Sequence, residues 1–320
     1  MESANHSTCV INDKMVPFAT FYIIIFLIGI TTSLVALWAF ITSKSAKKCI
    51  NVYLINLLLS DFLLMMALPV KIANDLGNVS QSLMVFHCQV SGPLIYINLY
   101  ASIIFLSFIS VQRYLQITQS SKLLRLQEVS FAVLMSAVVW FLILFINVPN
   151  MAIPMNNITV KQGVTCSDLK TEMGKHWHAL SVFLGMAIFF NASAAVLLSN
   201  GLVLKQLWGR RETDPEDQAS ARHAFRNIAL VTLAYVICFV PYHAVRMPYT
   251  FTQVTELITD CDLKKSLFLA KESTLLLAIL HLCFDPLLYF IICRAFRDRV
   301  TKAFLKRPSI PDDADTQIPE

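Results

Sequence analysis

Charge is scarce in this sequence: Asp, Glu, Lys and Arg make up 15% of its 320 residues, against about 25% in soluble domains. Glycine is scarcer still, with 8 in the chain, and no glycine-rich loop able to cradle a phosphate occurs. Long polar stretches are also missing. Between its apolar runs the chain leaves no more than about two dozen residues at a time, too few to bury a core of their own. These absences exclude a soluble enzyme domain and a nucleic-acid-binding module. Metal-ligand spacing is weak too: His176 and His178, either side of Trp177, form a lone pair with no third ligand beside them.

What is present is apolar. Hydrophobic residues are 56% of the chain and the mean hydropathy is +0.60. Seven apolar runs of roughly 23 to 31 residues are each long enough to cross the ~30 Å hydrocarbon layer as a helix, the form lipid imposes because it offers the backbone no other partner. They fall at Pro17–Ile41, Ile50–Ile72, Phe86–Gln116, Phe131–Ile153, Trp177–Leu207, His223–Thr250 and Leu267–Cys293. The first exceeds the apolar part of a cleaved signal and follows a polar segment, so it reads as a retained signal-anchor. The expected class is an all-α membrane protein with seven transmembrane helices.

Orientation follows from Lys and Arg. With the N-terminus outside, and charges within three residues of a span end counted with the segment they adjoin, the inner segments hold seventeen of these residues and the outer segments seven, while Arg246 and Lys271 lie deeper within spans and complete the 26. The sequons at Asn5, Asn78 and Asn157 all fall on the outer side, where glycosylation is possible. A fourth, at Asn191, lies inside span five and is expected to be silent. Four of the eight cysteines, Cys9, Cys88, Cys166 and Cys261, sit in outer segments, the oxidising side. Four cysteines allow three pairings; joining Cys88 to Cys166 leaves Cys9 for Cys261.

Charges at membrane depth need a partner or a wet cavity, since each costs about 2.5–3.5 kcal/mol on insertion scales. Chain direction places Lys71, Arg246 and Lys271 near the outer ends of spans two, six and seven. Tyr242, His243 and Arg246 are related by i, i+3 and i+4 on span six, and Tyr96 and Tyr100 lie one turn apart on span three. Together they describe a cavity of cations and phenols suited to a carboxylate or phosphate. The plainer alternative is that the cations snorkel to the interface or pair with Glu272. Deeper, Asp61, Asn98, Ser102 and Asp285 offer oxygens for a small hard cation such as sodium. The plainer alternative is a protonated polar network; an aspartyl protease, in which two carboxylates share a proton, is disfavoured because no further catalytic group accompanies them.

These residues resemble a rhodopsin-like G-protein-coupled receptor over about residues 15 to 305. The motifs are Asn56-Leu-Leu-Leu-Ser-Asp61, Cys88, Val111-Gln112-Arg113-Tyr114, Trp140, Cys238-Phe239-Val240-Pro241 and Asp285-Pro286-Leu-Leu-Tyr289, in order on successive spans. Phe239-Val-Pro-Tyr242-His243-Ala-Val-Arg246 followed by Lys271-Glu272-Ser-Thr274 is similar to the purinergic nucleotide-receptor branch. Chain-wide, for instance at Tyr53-Leu-Ile-Asn56, the wording is similar to an orphan, peptide-type member of it.

The resemblance implies a plasma-membrane receptor, not an enzyme, with an extracellular N-terminus over residues 1–16 and a seven-transmembrane domain over 17–293. Residues 294–320 would supply a short amphipathic eighth helix on the bilayer, with Phe296, Val300 and Phe304 facing lipid, and a cytoplasmic tail. An extracellular peptide, nucleotide or lysophospholipid anion would bind at Arg246, Lys271, His243, Tyr242, Tyr96, Tyr100 and Lys71. Span six would then swing about Pro241, with Phe239, Pro286 and Tyr289 in the hinge, and Arg113, flanked by Gln112 and Tyr114, would meet a heterotrimeric G protein, commonly of the Gi/o type. The acidic tail offers only Ser309 and Thr316 after Leu305, so arrestin recruitment is expected to be weak. No cofactor is implied beyond an allosteric sodium ion. Cys293 is a weakly signalled palmitoylation site. Several positions depart from the family pattern. Gln112 replaces the usual Asp beside Arg113 and implies raised basal activity; Ser33, Phe239, Asn191 and Ser199 stand where Asn, Trp, Pro and Tyr are usual. Ile95 occupies the position at which amine receptors carry Asp, which disfavours an amine agonist. A transporter of small anions is the rival class, and it would show repeated halves, which this chain lacks.

Overall fold

The computed structural model describes residues 15–42, 49–77, 80–118, 126–156, 164–210, 218–254 and 260–305. Seven helices in it are long and apolar enough to cross a membrane. They are α1 (Val16–Thr42), α2 (Cys49–Asp75), α3 (Gln81–Thr118), α4 (Val129–Ala152), α5 (Glu172–Arg210), α6 (Gln218–Val254) and α7 (Cys261–Ile292). A short α8 (Arg294–Leu305) follows. Cys9 and the sequons at Asn5, Asn78 and Asn157 lie outside the described residues.

The helices outrun the apolar stretches that predict them. α3, α5, α6 and α7 begin at Gln81, Glu172, Gln218 and Cys261, ahead of the apolar runs. Polar turns that project beyond the hydrocarbon can continue a helix when its first N–H groups are satisfied. The Ser80 hydroxyl accepts from Leu83 N–H at 3.3 Å, and the Asp260 carboxylate accepts from Asp262 N–H at 3.0 Å.

α3 is the central helix, packed against α2, α4 and α5, and a ring α5–α6–α7–α1–α2 closes around it. Leu54, Leu57, Ile103 and Phe105 are wholly inaccessible between these helices. Polar ties lock them laterally: Trp140 Nε1 donates to Asn56 Oδ1 at 2.7 Å, and Asn200 Nδ2 to Thr232 Oγ1 at 2.8 Å. The outward faces are the reverse of a soluble protein's, with Phe141 73% and Leu198 67% exposed. Such surface is stable only against lipid. Prolines 69, 149, 241, 248 and 286 lie inside helices, where neighbouring helices compensate the lost backbone bonds.

Two irregularities shape the ends. At His87–Ser91, α3 widens into one π turn, in which Gly92 N–H bonds His87 C=O; the extra residue turns Cys88 toward Cys166, with Cα atoms 5.3 Å apart in the disulfide. The joint with Cys166 agrees with the sequence reading, and Cys261 is not among the free thiols. At the opposite end α8 packs on α1 and α7. Phe296 does not face lipid: it is buried, its ring 6.0 Å from Phe40 and 6.1 Å from Tyr289. Those two aromatics offer it a denser surface than lipid chains would. Val300 packs on the same core, and the Phe304 side chain lies outside what is described.

Candidate functional site

A cavity of about 760 Å³ opens at the disulfide end of the bundle, lined by Lys71, Tyr96, Tyr100, Lys170, His178, Arg246, Tyr249, Lys271 and Glu272 among others. The segment between α4 and α5 forms part of its cover. There the Asp168 carboxylate accepts from the Thr165 backbone N–H at 2.8 Å and from its hydroxyl at 2.7 Å, closing a single turn at Cys166–Leu169. Met155 and Lys170 form an antiparallel bridge, Asn156 N–H bonds Leu169 C=O at 2.7 Å, and Asn156 Nδ2 bonds Lys170 C=O at 3.1 Å. Held by these bonds and by the disulfide, Lys170 is buried over the cavity.

The cavity is electrically lopsided. On the α2–α7 side, Lys71 Nζ lies 2.8 Å from Asp75 and 3.0 Å from Glu272, and Lys271 also pairs with Glu272. Two of the three cations expected to receive an anion are thus already matched by two carboxylates, the pairing the sequence left open. Arg246 differs. It is 2% exposed, and no described carboxylate reaches it. Its Nη2 donates to His178 Nε2 at 2.8 Å, and its guanidinium lies 5.3 Å from the Tyr96 ring and 5.7 Å from the Tyr249 ring. Its Nε has no hydrogen-bond partner among the described residues. Burial pushes the Lys170 ammonium down to about 7, and the charge of Arg246 pushes the same way.

Tyr242 and His243 are brought close to this group but do not line the cavity. Both are buried one turn below Arg246. The His243 ring stacks on Phe189 at 3.8 Å, and its Nδ1 donates to Phe239 C=O at 2.8 Å. Tyr100 covers them, 6.0 Å from the His243 ring. Its close seat against α5 exists because residue 185 is glycine: a Cβ there would fall 2.1 Å from the Tyr100 hydroxyl. His178 and Lys170, treated in the sequence as a stray histidine and a loop charge, belong to the site. The usable signal for Lys170 was its place four residues after a disulfide cysteine.

Mid-bundle, Asp61, Asn98, Ser102 and Asp285 do come together, with a residue the sequence reading omitted. Tyr289 Oη donates to Asp61 Oδ2 at 3.0 Å, and Asn98 Nδ2 to Asp61 Oδ1 at 3.4 Å and Ser102 Oγ at 3.4 Å. His281 enters from α7 with Nε2 3.2 Å from Ser102 Oγ and 3.9 Å from each aspartate. Phe239 lies against this histidine at 5.3 Å.

At the α8 end, Arg113 lines a small cleft with Asn200, Ile228 and Leu288, and no described carboxylate pairs with it. Its neighbour Gln112 turns away and donates to Leu126 C=O at 2.5 Å, before α4. Tyr114 packs on Val203, Leu207 and Ile228. Cys293 is buried, its Sγ 3.6 Å from Asn51 Oδ1, a poor place for an acyl chain. Pro241 and Pro286 lie within α6 and α7 as expected.

Seven spanning helices, an arginine at the α8 end of the central one and a walled cavity at the other describe a receptor that carries a signal along its own length. The chain belongs to the 7 transmembrane receptor (rhodopsin family), whose model matches residues 32–289. Among its relatives, G-protein coupled receptor 171 of Bos taurus is 52% identical over 301 residues, covering 94% of this chain and 93% of that one. The Homo sapiens form is 52% identical over 296 residues, 92% of each. Purinoceptor 14 of Bos taurus is 34% identical over 316 residues, 98% of this chain and 93% of the relative. The protein is a multi-pass plasma-membrane receptor of this family, which signals through heterotrimeric G proteins, and it is not an enzyme.

Proposed function

We propose that the receptor recognises an extracellular ligand through a single anionic group, seated between Arg246 and Lys170, and activates a Gi/o-type G protein. The observation that carries this is Arg246: a buried guanidinium facing a cavity without a described carboxylate beside it. Such a charge is costly in a membrane protein unless something anionic visits. Because Lys71 and Lys271 are held by Asp75 and Glu272, the opposite wall has no net charge to offer a polyphosphate. A monoanion therefore fits better than a nucleoside di- or triphosphate, and a peptide C-terminal carboxylate is the leading member of that class. In this reading the N-terminus is extracellular and the C-terminus cytoplasmic. Arg113, with Gln112 and Tyr114 beside it, faces the G protein, and arrestin engagement is weak.

The test is a G-protein activation screen of peptides, nucleotides and lysophospholipids, repeated for each active peptide with its C-terminus amidated. Activity of free-acid peptides that disappears on amidation supports the proposal. A response confined to nucleoside polyphosphates, or peptide potency indifferent to amidation, overturns it.

A further inference from the structure

The polar cluster at mid-bundle is expected to hold sodium, yet its donor set does not suit that ion. Sodium takes oxygen ligands, as hard cations do. Here Asn98 presents its amide N–H₂ to Asp61 and Ser102, not its oxygen. The third donor facing the two aspartates is a nitrogen, His281 Nε2. His281 Nδ1 donates to Ala278 C=O at 2.6 Å, which fixes the proton on that side and turns the lone pair of Nε2 inward, where the Ser102 hydroxyl reaches it at 3.2 Å. One oxygen of each aspartate thus lies 3.9 Å from Nε2, and with both carboxylates ionised all three atoms are acceptors.

Acceptors converge in a buried site only around a proton or a cation. Asp61 has Tyr289 and Asn98 as donors. Asp285 has none for its Oδ2, although it is 3% exposed and aimed at His281. One donor atom from each of Asp61, His281 and Asp285 lies within 4.8 Å of the others. An ion between them would reach all three at the ~2.0–2.2 Å of zinc–nitrogen and zinc–oxygen bonds after side-chain shifts of about half an ångström. Ser102 Oγ, 3.2 Å from Nε2, is a fourth oxygen at hand.

We propose that Asp61, His281 and Asp285 form a site for a divalent transition cation of the zinc class, with His281 selecting it over sodium. Imidazole favours such cations, while all-oxygen sites favour sodium, magnesium or calcium. Two carboxylates balance a dication, and the hydrogen bonds from Tyr289 and Asn98 orient Asp61, as outer partners of metal ligands do. The ion would tie α2 to α7 beside Phe239, so binding would favour whichever arrangement of α6 and α7 keeps the three donors together.

The experiment is thermal unfolding of the purified full-length receptor in zinc chloride, sodium chloride or choline chloride at matched ionic strength. Micromolar zinc is expected to raise Tm by about 3 °C or more, with sodium no better than choline. His281→Asn is expected to abolish the zinc response, and a His176→Ala/His178→Ala variant to retain it. A sodium response in the unaltered receptor, or a zinc response that survives His281→Asn, overturns the proposal. Should His281→Asn fail to fold, X-ray absorption at the zinc edge of the unaltered protein decides. One imidazole nitrogen with two or three oxygens supports the site; no bound zinc, or sulfur ligation, refutes it.

Discussion

Arg246 on α6 and His178 at the start of α5 meet across the top of the bundle, guanidinium Nη2 to imidazole Nε2 at 2.8 Å. Because arginine can only donate, His178 must accept, so its Nε2 carries no proton while this bond stands. The pair couples two helices through a group that also faces the ligand cavity. Arg246→Ala is therefore expected to lower agonist potency about 100-fold or more, in the range found when one partner of a buried charged contact is removed. His178→Ala, which frees the guanidinium without deleting it, is expected to cost about tenfold. Dose–response curves at matched surface expression check both, and equal potency in Arg246→Ala would remove the anion seat from this cavity.

Lys170 gives that seat a pH dependence. Its ammonium is held down to about 7 by burial and by Arg246. Below that pH the seat presents two cations not matched by a described carboxylate, Arg246 and Lys170, and above it one. An anionic agonist is expected to lose several-fold in potency between pH 6 and pH 8, the direction of a group whose charged form is the binding form. His178 and His87 also face this cavity, so the control matters. Lys170→Arg keeps its charge throughout and should flatten the curve at its high-potency end; Lys170→Gln should flatten it at the low end. A slope unchanged in both variants would assign the dependence to another group.

The architecture was legible because hydrocarbon imposes so simple a rule. Seven long apolar runs with few charges must be seven helices, and the helix centres agree with the structure while the ends do not, since polar turns such as Gln81–Phe86 continue on the strength of a cap at Ser80. The site was legible only by residue type. Tyr96, Tyr100, Arg246 and Lys271 do share a cavity, but which cations are spent is a matter of side-chain reach. Glu272, the partner the sequence offered for these cations, joins its neighbour Lys271 to Lys71, 201 positions away from it, and no local pattern announces that longer pairing. His281 was missed because a lone histidine in an apolar helix carries no signal until its neighbours are known. Phe296 was misassigned for a related reason: amphipathic spacing shows that a face is apolar and leaves open whether lipid or protein covers it.

Close packing beneath the cavity makes a third prediction. The Cβ of an alanine at position 185 would fall 2.1 Å from the Tyr100 hydroxyl and 2.2 Å from the ring carbon bearing it. Tyr100 is buried at the edge of the cavity, packed against His243, so relieving the clash would move its ring off both α5 and that histidine. Gly185→Ala is expected to destabilise the receptor by about 1–3 kcal/mol, as overpacking does, and to lower its Tm accordingly. Tyr100→Ala in the same chain removes the clash, so the double variant should be more stable than the sum of the two single losses predicts. Strict additivity would show that the two residues are not in contact.

The last prediction concerns the resting state. In Gln112 the neighbour of Arg113 has no negative charge, and its amide is committed to Leu126 C=O at 2.5 Å. Cys49 Sγ also reaches that carbonyl at 3.9 Å, so the side chain positions the approach to α4 and leaves Arg113 without a described counter-ion. A charge-assisted bond is worth about 1.5–3 kcal/mol; a resting state lacking it is less favoured over the signalling state by up to that amount. Ligand-free nucleotide exchange should therefore be high, and Gln112→Asp should lower it about tenfold by placing a carboxylate beside the guanidinium. The same substitution gives up the bond to Leu126, which could perturb coupling on its own. Gln112→Asn separates the two effects: it too loses the longer reach to Leu126 yet brings no charge, so its basal exchange should stay high. If Gln112→Asp and Gln112→Asn reduce ligand-free exchange equally, the loop contact governs the resting state and the missing charge does not.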